Sequence, residues 1–74
     1  MDLIFAPSGA VTTLAEARFV VDWEPGCDIV RVRNLSEVPL GGPQGAVGRG
    51  GDLFTRFGAP VLVGGRRFGF RRQP

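Results

Sequence analysis

The 74-residue chain has no lysine, no histidine and no tyrosine, and its only cysteine is Cys27. Each absence removes a class of chemistry. Without histidine there is no imidazole base and no histidine-based triad. Without lysine the phosphate loop G-x-x-x-x-G-K-[ST] cannot be written, and the G-x-G-x-x-G fingerprint is missing too. One cysteine closes no intrachain disulfide and does not hold a structural zinc by itself. Cys27 lies between Glu24 and Asp28, a setting that does not activate a nucleophile. Asp22, Glu24 and Asp28 gather at one hairpin end, but acid–base catalysis needs a cleft, and the spacing is not that of a calcium loop. No catalytic residue, metal ligand or cofactor is expected, and no enzyme.

Long apolar runs are also absent. None approaches the roughly 18–20 residues that cross a bilayer. Met1-Asp2 does not begin a basic, then apolar, leader. The expected location is a virion or the cytoplasm, with no membrane partner. Asn34-Leu35-Ser36 is formally a glycosylation triplet.

What the chain does contain is punctuation: 12 glycines and 6 prolines. Breaks that frequent favour many short strands over long helices. All nine basic residues are arginine, the residue suited to bidentate contact with carboxylate or phosphate. Charge is unevenly spread, with −4 over residues 1–28 and +4 over residues 66–74. Such a dipole suits head-to-tail packing of subunits. A single domain of this length buries only about 60% of its unfolded surface. With no disulfide or metal to staple it, a homo-oligomer or a place among other protein subunits is expected.

Three hairpins are legible. In "RFVVDW", Phe19, Val21 and Trp23 alternate onto one face, and "DIVRVR" resumes beyond Pro25-Gly26, a type II turn pair. This places Phe19 opposite Val32 and Val21 opposite Val30. Arg18, Val20, Asp22, Ile29, Arg31 and Arg33 fall on the other face. "DLIFA" and "AVTTL" flank the turn residues Pro7 and Gly9 and read as a second hairpin. Thr13-Leu14-Ala15-Glu16 has capping-box spacing, which allows one helical turn before Arg18. Gly64-Gly65 centres a third hairpin, with Val61 opposite Phe68 and Ala59 opposite Phe70. Asp52 to Phe57 fits either a strand or a helical turn. Residues 41–51, "GGPQGAVGRGG", read as a flexible glycine-rich connecting loop, with a contact arm that orders on assembly as the alternative. The expected fold is mostly β: residues 1–74 as one small domain, an antiparallel barrel or two-sheet sandwich of 5–6 short strands, with at most one helical turn.

The stretch "RRFGFRR" (residues 66–72) carries the functional expectation. Arg66, Phe68, Gly69 and Phe70 match four positions of the RNA-recognition strand pattern, in which alternate aromatics stack bases and arginines hold phosphates. Arg67, Arg71 and Gln73 depart from it. Phe68 and Phe70 are also what the Val61–Val63 strand needs on its apolar face. "DLFTRFGAPVLVGGRRFGFR" (residues 52–71) resembles segments of small head–tail joining and completion proteins of tailed phages, where a Phe-Gly step leads into a strand and a Gly-turn hairpin. "LIFAPSGAV" (residues 3–11) is similar to a strand–turn–strand piece of minor pseudopilin domains. These resemblances imply an assembly role. The expected function is a non-enzymatic structural or interaction subunit of a larger assembly such as a phage virion. Its partner-binding residues are Trp23, Arg66, Arg67, Phe68, Phe70, Arg71 and Arg72. The alternatives are a single-stranded nucleic-acid binder using Phe68 and Phe70, and a small phage regulator that binds and inhibits a host enzyme.

Overall fold

The computed structural model describes residues 3–72. Two sheets pack face to face. One has the order β1 (Leu3–Ile4), β9 (Arg66–Phe70), β8 (Val61–Val63), β5 (Leu40–Gly42), β6 (Gly45–Val47). The other runs β2 (Val11–Leu14), β3 (Ala17–Asp22), β4 (Ile29–Asn34), β7 (Asp52–Arg56). All ladders are antiparallel except β1 with β9. Of the two expected architectures, the two-sheet form is the one observed. The closed barrel is not, because each sheet keeps two free ends: β1 and β6 in one, β2 and β7 in the other.

Alternation builds the core, as period-2 side chains require. Ala17, Phe19 and Val21 of β3 point inward with Val30 and Val32 of β4 and Leu53 of β7. Leu40, Val61, Val63 and Phe70 meet them from the opposite sheet. The two layers are joined by an edge-on contact of Phe19 and Phe70, ring centroids 6.2 Å apart, the geometry aromatic quadrupoles prefer. Thr55 also points inward, and its buried hydroxyl has no hydrogen-bond partner among the described residues.

The β3–β4 hairpin keeps the expected faces but not the expected register. Phe19 lies opposite Asn34 and Val21 opposite Val32, two residues from the predicted pairing. The turn itself forms as read, with Cys27 N–H donating to Glu24 O at 3.0 Å and Gly26 at φ +83°. A type II turn twists against its strands, so pairing begins only at Asp22 and Arg31 and residues 23–28 form a loop. A slip of two residues leaves every side chain on its original face.

The N-terminal hairpin does not form. β1 pairs with β9 in one sheet and β2 with β3 in the other. Residues 5–10 carry the chain between layers, anchored where Gly9 N–H donates to Val21 O at 2.9 Å. Thr13–Glu16 makes no helical turn either. Leu14 pairs with Ala17 across a two-residue turn in which Ala15 and Glu16 have φ of +48° and +68°. Those are type I′ positions, which favour Asn-Gly. Replacing Ala15-Glu16 by Asn-Gly is expected to raise stability by about 1–2 kcal/mol, read as a higher urea midpoint at unchanged m-value.

Much of the glycine-rich stretch is strand rather than loop. Gly41–Val47 folds back as β5 and β6, residues 48–51 remain a turn, and the strands among the described residues number nine. Close approach favours glycine there. A Cβ at Gly42 would lie 2.9 Å from Leu53 Cδ1, so any larger residue would have to push the buried Leu53 side chain aside where β5 passes β7. At the C-terminal hairpin, Gly64 and Gly65 have φ of +56° and +78°, and Val61 pairs with Phe68 as read. Its ladder stops there: Ala59 does not pair with Phe70, whose carbonyl accepts from Gly58 N–H instead.

Candidate docking surface

The fold divides the expected contact residues into three groups. Phe70 is core, only 2% exposed. Phe68 is half-buried against the same core, on the face it shares with the fully enclosed Val61 and Val63. The face that base stacking needs is therefore the interior of the sandwich.

Trp23 and Arg72 meet at one end of the sandwich, through Phe57. The Trp23 and Phe57 rings are edge-on at 5.6 Å. The Arg72 guanidinium lies 5.0 Å from the Phe57 centroid, within cation–π range. Arg72 also forms an ion pair with Asp28 and donates to Cys27 O at 3.2 Å. It thus ties the end of β9 to the β3–β4 loop. Arg66 sits at the opposite end of β9, beside the Gly64-Gly65 turn, and is exposed. Arg67 lies on the outer face of the five-stranded sheet opposite Leu62, where Leu3 and Leu62 are 41% and 43% exposed, and Arg71, just past β9, is exposed.

The outer face of the four-stranded sheet holds the residues that sequence reasoning passed over. Ile29 and Phe54 are 41% and 48% exposed. They are diagonal neighbours across the β4–β7 ladder, where Ile29 faces Arg56 and Arg31 faces Phe54. Asp52 bridges Arg31 at 3.2 Å and Arg33 at 3.4 Å, neutralising part of this arginine row. Between Trp23 and Phe54 runs an open groove of about 470 Å³, lined also by Ile29, Arg31, Cys27, Ser8, Asp22 and Glu24. No ion pair engages Asp22 or Glu24 among the described residues. A second hollow of about 290 Å³ continues past Ile29 and Phe54 to Arg56, Ala59 and Pro43. The groove is half apolar, edged by two carboxylates, and open to a macromolecule.

One signal could have revealed it. Reading Asp52–Arg56 as a strand sends Leu53 and Thr55 inward and Phe54 outward, leaving an aromatic ring on a solvent face beside Ile29.

Asn34 is enclosed and fully bonded. Its amide donates to Val38 O at 2.9 Å and Val47 O at 3.2 Å, and its oxygen accepts from the Ser36 amide at 3.0 Å and hydroxyl at 2.8 Å. The Asn34 triplet therefore presents no accessible glycan acceptor in the folded chain. No group of three His, Cys, Asp or Glu side chains among the described residues is placed to hold a metal ion. No described helix is long and apolar enough to cross a membrane.

No family model, curated protein or solved structure matches the chain. The phage-virion role expected from residues 52–71 is withdrawn on that finding. The fold adds a physical reason. Asp52–Arg56 pairs with β4 in one sheet and Val61–Phe70 lies in the other, so this stretch is not one local unit.

Proposed function

We propose that the protein is an interaction module without chemistry of its own, and that it docks a protein partner on the outer face of its four-stranded sheet. The observation that carries this reading is the exposed Ile29–Phe54 pair beside the groove. Two large apolar side chains left half-exposed beside each other on an uncovered sheet give a partner an anchor. The groove favours a partner that inserts an apolar side chain between Trp23 and Phe54 and offers lysine or arginine to Asp22 and Glu24. A lone, unpaired cysteine fits a cytoplasmic setting. The nucleic-acid reading has less support, because its two phenylalanines belong to the interior.

A photo-cross-linking residue at position 54, and separately at position 62 as a control, tests this in the source cells. Discrete adducts are expected from position 54 and to be lost on Asp22→Lys/Glu24→Lys. Absence of adducts at 54, or equal labelling from both positions, would contradict it. Phe54→Ser is expected to cost about 1 kcal/mol, well below the loss for a core phenylalanine, because only about half of the ring is covered.

A further inference from the structure

Four sheet ends remain in this fold, and three are blunted. β1 has two residues. β6 has three, beginning with a glycine. β7 carries Asp52 and Arg56, and the β5–β6 hairpin crosses over it at Gly42. These are recognised ways of making an edge unattractive to another strand. β2 has none of them. It reads Val-Thr-Thr-Leu, uncharged, free of proline and glycine, and rich in β-branched residues. Among the described residues it pairs only with β3, and Val11, at 59%, is among the most exposed large apolar residues.

The register tells which backbone groups are free. In a two-residue hairpin the residues flanking the turn form a hydrogen-bonded pair, and bonded and non-bonded pairs then alternate. Leu14 with Ala17 and Thr12 with Phe19 are the bonded pairs. Arg18 confirms the phase, because its carbonyl accepts from Leu35 N–H on the β4 side. Val11 and Thr13 therefore aim N–H and C=O away from the sheet.

We propose that β2 is a homodimerisation edge, pairing antiparallel with β2 of a second copy about a two-fold axis through Thr12. The occupant follows from self-complementarity. With Val11 opposite Thr13 of the second copy, both outward donor–acceptor sets are satisfied and none is left over. β2 brings no charge to the axis. The nearest like charges, the two Arg18 side chains, sit three strand spacings apart, about 14 Å, beyond the screening length at physiological salt. The product is one eight-stranded sheet with both Ile29–Phe54 faces on the same side. An isologous pairing of this kind closes, so it does not propagate into fibres.

Sedimentation equilibrium over a wide concentration range tests this. The wild type is expected to show a monomer–dimer equilibrium. Thr13→Pro removes only an outward N–H, which an edge strand tolerates, and is expected to stay folded by circular dichroism and monomeric throughout. Thr13→Lys, which keeps the N–H and sets two cations near the axis, is expected to weaken the dimer at least tenfold, with partial recovery in high salt. Phe54→Ser is expected to dimerise as the wild type does, which separates this edge from the groove. A wild type monomeric at all concentrations would overturn the proposal. So would a dimer that survives both Thr13 substitutions, or one abolished by Phe54→Ser. Should Thr13→Pro fail to fold, Thr13→Lys decides.

Discussion

Phe70→Ala is expected to cost about 3–5 kcal/mol, the usual loss when a buried ring is cut back to a methyl. A domain of this length has a total stability of roughly 5 kcal/mol, so the variant is expected to be largely unfolded at 37 °C, with its near-ultraviolet dichroism lost. The cause is geometric. Phe70 is 2% exposed and holds the two sheets together through its edge-on contact with Phe19. Calorimetry alongside Phe54→Ser distinguishes a structural from a docking phenylalanine. A Phe70→Ala protein as stable as the wild type would mean that this ring is not core.

Asn34→Ala is expected to cost about 2–4 kcal/mol, although it removes few atoms. The carbonyls of Val38 and Val47 and the amide of Ser36 all lose their side-chain partner. Asn34 ties the end of β4 to the chain entering β5 and to the end of β6, so it fixes the crossing from one sheet to the other. Hydrogen exchange is expected to rise first in residues 36–47, ahead of β3 and β4. Uniform loss of protection across both sheets would show instead that this crossing is not a separable unit. Asn34→Asp is expected to be no better, because a carboxylate has no N–H to offer either carbonyl.

The features legible in the sequence were those set by local alternation and turn chemistry. The buried set Phe19, Val21, Val30 and Val32 follows from period 2 alone and survives a two-residue slip in register. Gly64-Gly65 fixes its hairpin because two positive-φ residues leave little choice. What escaped was non-local. Nothing in "DLIFA" tells that Leu3–Ile4 will pair with β9 rather than with the nearer β2. Glycines in residues 41–51 resemble those of a flexible loop until β5 is seen crossing Leu53, where a side chain would have to displace the leucine. Ala15-Glu16 lacks the residues its turn prefers, so its capping-box spacing pointed to a helix. The groove was lost with Phe54, whose face depends on whether Asp52–Arg56 is strand or helix.

The same logic accounts for "RRFGFRR". Its two phenylalanines share a face with Val61 and Val63 and turn inward, and its arginines separate. Arg72 clamps the β3–β4 loop, Arg67 faces outward, Arg71 is exposed just past β9, and Arg66 marks the far end. A cluster in sequence is thereby not a cluster in space, and the exposed aromatic beside the groove is Phe54.

The most direct measurement uses the chain's six phenylalanines. Fluorine-19 spectra of fluorophenylalanine-labelled protein, assigned by single substitutions, can be recorded with and without a soluble paramagnet. Phe54 and Phe5, at 48% and 39% exposure, are expected to broaden strongly, and Phe19 and Phe70, at 1% and 2%, to stay sharp. A Phe70 resonance that broadens as much as that of Phe54 would contradict the assignment of core and docking face.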